Sequence, residues 1–363
     1  MHKKLLSSVA PIIGLLLGFA ACSSSSATDE PLPAPETPEE IADNLPFARG
    51  ADVSWVTEEE ANGAKWYDSL GRETEIFSLL KNECGINAIR LRVWVDPTDG
   101  WCGLDDMLVK ARRARDLGLM LMIDFHFSDS WADPGKQPIP AAWTGMDLTR
   151  TKVALAAHVD KVLKALKAEN INPYWVQVGN ETTNGMLWPL GQADKNARNF
   201  TELINAGYDA VKAVFPESIV IVHLDRGNVM SQYEYIFGIL STYGGKYDMI
   251  GMSLYPDADN WVTETNDLLA NINTCWNRWR RPVMICEVGM NWQQAEQCRD
   301  MLAALISGCR NNTSGHGRGI FYWEPQSTPG YNGGYDKGAF TADGKATVAL
   351  TAFKADAETH PDK

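Results

Sequence analysis

Two short stretches of this chain end in a glutamate after an apolar run. Residues 174–181 read Tyr-Trp-Val-Gln-Val-Gly-Asn-Glu, and residues 282–289 read Pro-Val-Met-Ile-Cys-Glu-Val-Gly. Runs of this composition and length form buried strands, and the turn-forming residues that follow mark their ends. Glu181 and Glu287 then stand at the C-terminal ends of strands, where a barrel of alternating strands and helices carries its chemistry. Two carboxyl groups flanking a glycosidic bond are enough to hydrolyse it: one protonates the departing oxygen, while the other attacks the anomeric carbon or activates water. For that division of labour Glu181 must hold a proton near neutral pH, as a semi-apolar aromatic setting favours. Glu287 must stay ionised, as a neighbouring cation favours.

The elements that would position these groups recur in a regular rhythm. Strand-like segments lie at residues 47–56, 86–95, 119–126, 174–181, 219–224, 249–255, 283–287 and 319–323. Between them, residues 73–82, 104–117, 152–167, 197–214 and 263–279 place apolar side chains at three- and four-residue spacing, in stretches rich in Ala, Leu, Lys and Arg. Gly118 and Pro216 close two of these stretches. Eight such units in one domain predict an α/β fold, a single (β/α)8 barrel. An open doubly wound sheet would carry a glycine-rich phosphate loop after its first strand; Asp52-Val53-Ser54-Trp55 stands there instead. The long aromatic, Gly- and Pro-rich connections at 96–103, 127–150, 182–193 and 324–341 all follow strands, so they would wall a cleft on one face.

In such a barrel the strand-end polar residues converge on one mouth: Asp52, Arg90, Arg92, Asp124, His126, Asn180, Glu181, His223, Tyr255, Glu287, Trp323 and Glu324. Arg90 and Arg92 are two apart and point to the same side of their strand. Buried guanidinium groups require carboxylate partners, and Glu287 is the natural one. Asn180 offers an amide to a sugar 2-hydroxyl, a bond that strengthens in an oxocarbenium-like transition state. His126 and His223 lack a third ligand at evident spacing, so hydrogen bonding to carboxylates or sugar hydroxyls is the expected role, with no metal.

The N-terminus reads as an address. Lys3 and Lys4 precede an apolar run at residues 9–19, the length of a signal-peptide core, followed by Ala20-Ala21-Cys22 and four serines. This pattern resembles a bacterial lipoprotein signal over residues 1–21, with Cys22 lipidated; an ordinary secretory signal is the alternative. Residues 22–46 are Ser-, Pro- and acid-rich and read as a tether, leaving residues 47–363 as the catalytic domain. The expected location is outside the cytoplasm, on the bacterial outer membrane, with the lipid as the only membrane contact. A net charge of −13 without a basic cluster excludes nucleic acid and polyanions as partners. Cys84, Cys102, Cys275, Cys286, Cys298 and Cys309 show no C-x-x-C spacing, which argues against a zinc cluster and leaves their pairing open. The 13 Trp and 11 Tyr are many for 363 residues, and a share of them suits sugar platforms.

Asn-Glu closing the fourth strand and Glu closing the seventh resemble the retaining glycosidase clan of cellulases, mannanases and β-galactosidases. More narrowly, Gly50-Ala51-Asp52-Val53-Ser54, Arg90-Leu91-Arg92-Val93-Trp94, the run Asp124-Phe125-His126-Phe127-Ser128-Asp129-Ser130-Trp131 continuing to Gln137, Val178-Gly179-Asn180-Glu181 and Glu287-Val288-Gly289 look like the endo-β-1,4-galactanases of glycoside hydrolase family 53. The resemblance spans residues 47 to about 353. It implies Glu181 as acid/base and Glu287 as nucleophile, without a cofactor, about 5 to 5.5 Å apart as retention requires. It also implies substrate contacts from Asp52, Arg90, Arg92, Trp94, His126, Asp129, Trp131, Asn180, His223, Tyr255 and Trp323, with Trp188 farther along the cleft. The implied partners of a monomer are β-1,4-galactan and galacto-oligosaccharides. Relatives carry a calcium-binding loop after the seventh strand, whereas here residues 288–294 lead directly into helix-like sequence with no run of oxygen ligands, so no calcium is expected there. The competing expectations are a β-mannanase or β-glucanase of the same clan, and a surface glycan-binding lipoprotein without activity.

Overall fold

In the computed structural model, which describes residues 46–362, eight parallel strands close into a barrel. They are β1 (Ala48–Asp52), β2 (Ala88–Val93), β3 (Met120–Phe125), β4 (Trp175–Val178), β5 (Ile219–Leu224), β6 (Met249–Leu254), β7 (Val283–Val288) and β8 (Gly317–Trp323). Each pairs with the next, and β8 returns to β1 with Asp52 opposite Trp323. The connecting helices are α1 (Ile76–Asn82), α2 (Leu104–Asp116), α3 (Leu148–Ala168), α4 (Ala193–Val214), α5 (Met230–Tyr243), α6 (Trp261–Trp279), α7 (Ala295–Ser307) and α8 (Thr351–Thr359). The proposed signal peptide, Cys22 and all of the tether but Pro46 lie outside the described residues.

Local sequence explains where these helices begin and which face they bury. In α3 the buried Leu155, Val159, Val162, Leu163 and Leu166 recur at helical spacing, and the Asp147 carboxylate caps the first turn by accepting from Arg150 N–H. Glu75 caps α1 in the same way through Phe77 and Ser78 N–H. Gly244, at φ 73°, ends α5 in the left-handed conformation. The apolar faces pack on the outside of the barrel in one continuous core. A second, smaller core fills its inside, where Trp175 meets Phe321 edge to face at 6.0 Å among Met120, Met122, Ile219, Met249 and Met284. This plug closes the barrel below the mouth.

Two strands end differently from expectation. β1 stops at Asp52 and the chain turns into a short helix, Val56–Ala61, because Trp55 N–H is drawn to the Glu324 carboxylate. β4 stops at Val178, since Gly179 (φ 90°) and Glu181 (φ 42°) leave the extended conformation. All six cysteines of the described chain are free and buried.

Candidate active site

The turn after β4 delivers the first glutamate. A side chain on Gly179 would be strained at its positive φ and would place Cβ 2.6 Å from Thr182, so glycine is required. Thr182 ties the turn to β5 through its N–H, 2.8 Å from His223 O. The second glutamate depends on a register shift. Met252 lies opposite Ile285 but Ser253 lies opposite Glu287, so β7 carries one extra residue, Cys286. Strict alternation would put Cys286 and Glu287 on opposite faces. The bulge lets Cys286 join the inner core while Glu287 also turns into the mouth, the re-aiming of a side chain that bulges achieve.

Beneath the glutamates Arg90 acts as a hub. Its guanidinium reaches Asp52 Oδ2 at 2.6 Å, Asp124 Oδ2 at 2.9 Å, Glu287 Oε1 at 2.9 Å, Asn180 Oδ1 at 3.0 Å and Gln177 Oε1 at 2.7 Å. Glu287 also accepts from the Tyr255 hydroxyl at 2.8 Å. Burial raises the pKa of Glu287, and Arg90 and Tyr255 oppose that rise. Burial raises Glu181 too, and the charge of Glu287 raises it further. Of the two, Glu181 is therefore the group that keeps its proton and Glu287 the one that loses it. Asp124 is buried, yet Arg90 and His126 hold it down to about 2.

Both glutamates line one cleft of about 750 Å3. Trp55, Trp131 and Trp323 form an aromatic wall with centroids 5.1 to 6.0 Å apart, and Tyr335 joins it. His126, Asn180, Ser253 and Tyr255 complete the floor around the glutamates. His126 has both ring nitrogens engaged: Nε2 lies 2.9 Å from Asp124, and Nδ1 accepts from Ala132 N–H at 3.2 Å.

Of the predicted contact residues, His126, Trp131, Asn180, Tyr255 and Trp323 stand in the cleft lining. Asp52, Arg90, Arg92 and His223 do not; each is at most 1 % exposed and sits a layer below, so each acts by holding its neighbours. Arg92 departs furthest from the shared role with Arg90. It pairs with Glu324 at 2.6 Å, and its guanidinium lies beneath Trp131 at 4.4 Å and Trp55 at 5.2 Å. Trp94 stands behind Trp131, edge on at 5.3 Å. Asp129 is a clamp between loops, accepting from Asp96 N–H at 3.1 Å and Ala141 N–H at 2.8 Å. Trp188 packs in its loop through Nε1 to Asn184 O at 2.9 Å. Sequence reasoning missed Trp55, Gln177, Ser253 and Tyr335. Ser253 was within reach, being on β6 two residues before Tyr255, which directly follows the strand. The loop after β7 is short, reaching α7 through a single turn at Trp292–Gln294.

A closed barrel that brings a half-buried glutamate after its fourth strand and a buried one on its seventh to one aromatic cleft is a glycoside hydrolase scaffold. Comparison with known proteins narrows it. The model of glycosyl hydrolase family 53 matches residues 48–354. An arabinogalactan endo-β-1,4-galactanase from Humicola insolens is 32 % identical over 84 % of this chain and 98 % of its own. An endo-β-1,4-galactanase from Bacillus subtilis is 30 % identical over 79 % of this chain and 71 % of its own. A solved structure of a fungal β-1,4-galactanase superposes with a TM-score of 0.77 at 30 % identity, covering 84 % of this chain and 98 % of that one. The chain belongs to glycosyl hydrolase family 53.

Proposed function

We propose that this enzyme is a retaining endo-β-1,4-galactanase that cuts galactan and type I arabinogalactan by double displacement. The observation that carries the reading is a family match across the catalytic barrel, joined to two glutamates in one cleft with opposed environments. Glu287, kept anionic by Arg90 and Tyr255, attacks the anomeric carbon. Glu181 protonates the departing oxygen. Once Glu287 is esterified its charge is gone, the pKa of Glu181 falls, and Glu181 becomes the base that activates water for the second step. Asn180, held by Arg90 and by Ala132 O at 2.9 Å, is the candidate donor to the sugar 2-hydroxyl. Trp55, Trp131 and Trp323 offer faces to galactose units.

The same proposal extends to place and partners. Ala20-Ala21-Cys22 supports an exported lipoprotein anchored through Cys22, with residues 22–46 spacing the barrel from the membrane. The protein is read as a monomer acting on galactan and releasing galacto-oligosaccharides. Product analysis on linear β-1,4-galactan, with mannan and carboxymethyl-cellulose in parallel, tests the activity. A ladder of galacto-oligosaccharides from galactan alone is expected. Cleavage of mannan or cellulose instead would overturn the substrate, and binding without any cleavage would overturn the enzyme.

A further inference from the structure

The buried polar residues around the Glu181 carboxyl group form a chain whose direction follows from one fixed end. Arg90 has only donors to give. Gln177 must therefore turn its oxygen to Arg90 Nε at 2.7 Å, which leaves its amide nitrogen 3.1 Å from Asp124 Oδ1 and 3.0 Å from His223 Nδ1. A donor aimed at Nδ1, with Glu181 N–H approaching the same nitrogen at 3.4 Å, makes Nδ1 an acceptor. Asn180 Oδ1 lies 3.1 Å from that nitrogen but is already turned to Arg90. The imidazole proton is then on Nε2, 2.8 Å from Ser253 Oγ. With its oxygen accepting from His223, Ser253 sends its hydroxyl proton to Glu181 Oε1 at 2.8 Å. Burial and the nearby Arg90 charge keep His223 neutral, so this orientation has one imidazole proton to place.

We propose that Ser253, oriented by Arg90, Gln177 and His223, is a positioning residue for the catalytic acid: it occupies Oε1 of Glu181 as a donor and so assigns the transferable proton to Oε2. A proton on Oε1 would face the hydroxyl proton of Ser253, whereas a proton on Oε2 leaves both bonds intact. The relay also strengthens when Glu181 becomes anionic, because bonds to a charged acceptor are the stronger ones. Ser253 thus favours the base form that the second step needs. Since Ser253 stands beside Glu287 in the sheet and Arg90 touches Glu287 directly, the same hub orders both glutamates.

This inference rests on Glu181 being the acid/base, so the test separates the two. Ser253→Ala, Ser253→Thr and Glu181→Ala are compared with wild type in kcat/KM from pH 4 to 9, on galactan and on a dinitrophenyl β-galactobioside whose leaving group needs no proton. The groups facing Glu181 are Glu287 from β7, Asp225 after β5, Arg90 from β2 and Ser253 from β6, and only the last is changed by the serine variants. Loss of one bond to a group that becomes charged as it gives up its proton predicts a roughly 10- to 150-fold fall on galactan for Ser253→Ala. The dinitrophenyl substrate should change less than about threefold, the alkaline limb should move to higher pH, and Ser253→Thr should restore both. Equal losses on both substrates with an unmoved limb, or no loss at all, would overturn the relay. If Glu181→Ala abolishes both substrates equally, and azide restores nothing, the acid/base assignment itself fails.

Discussion

Removing the Tyr255 hydroxyl should move the acid limb of the pH profile without emptying the cleft. Tyr255 donates to Glu287 Oε2 at 2.8 Å, and as the proposed nucleophile Glu287 must be ionised to attack. The donor favours the ionised form and therefore holds the pKa of Glu287 down against burial. A hydrogen bond to a charged group contributes about 1.5 to 3 kcal/mol. At 1.36 kcal/mol per unit, its loss lets the pKa of Glu287 rise by about one to two units. In Tyr255→Phe the ring remains and Arg90 still touches Oε1, so the protein should fold as wild type does. Measured on soluble galactan, kcat/KM should fall on the acid side, with that limb displaced upward by about one to two units. At high pH the loss should shrink. An acid limb at the wild-type position, with activity uniformly reduced, would refute the claim that Tyr255 tunes the charge of Glu287.

Other changes probe the scaffold. Gly50→Ala would put a Cβ 2.1 Å from the Phe321 ring on the adjoining strand, inside the plugged barrel; overpacking of this kind costs about 1 to 3 kcal/mol or more, so a clear drop in midpoint of urea unfolding is expected, and an unchanged midpoint would contradict the plug. Glu59, under the aromatic wall, is raised from 4.5 to about 6 because burial outweighs its bonds from Ser327 and Gln326. The folded chain thus prefers Glu59 protonated, and stability is full below about 4.5 and declines as pH rises through about 6, by roughly 2 kcal/mol. Glu59→Gln should match wild type near pH 4 and exceed it by up to about 2 kcal/mol near pH 7 in denaturant titrations. Parallel stability curves would rule that out.

Much of this was legible because chemistry and period coincide. Glu181 and Glu287 each follow an apolar run that could only be a strand, and eight such runs alternating with amphipathic helices leave few architectures. What strand pattern does not report is depth along the barrel axis. Arg90 and Arg92 were rightly placed on one side of β2, yet Arg90 meets three carboxylates while Arg92 meets Glu324 beneath Trp131. Strand register does not give it either: Arg90 pairs with Asp52 opposite it on β1, but Asp124, which stands opposite Arg92 on β3, turns to Arg90 instead. The Cys286 bulge was equally hidden, since its sequence reads as plain alternation. Trp55 escaped because it follows the strand, at the start of a short helix whose entry is set by Glu324 from the far end of the chain.

The assignment of Glu287 as nucleophile is open to direct trial by trapping. The wild-type enzyme is incubated with a 2-deoxy-2-fluoro galactobioside bearing a dinitrophenyl leaving group, digested, and the labelled peptide sequenced by mass spectrometry. Double displacement predicts one adduct of the fluorinated disaccharide per chain, on Glu287, with loss of galactanase activity in step with labelling. An adduct on Glu181, or release of an inverted product with no adduct at any residue, would contradict it.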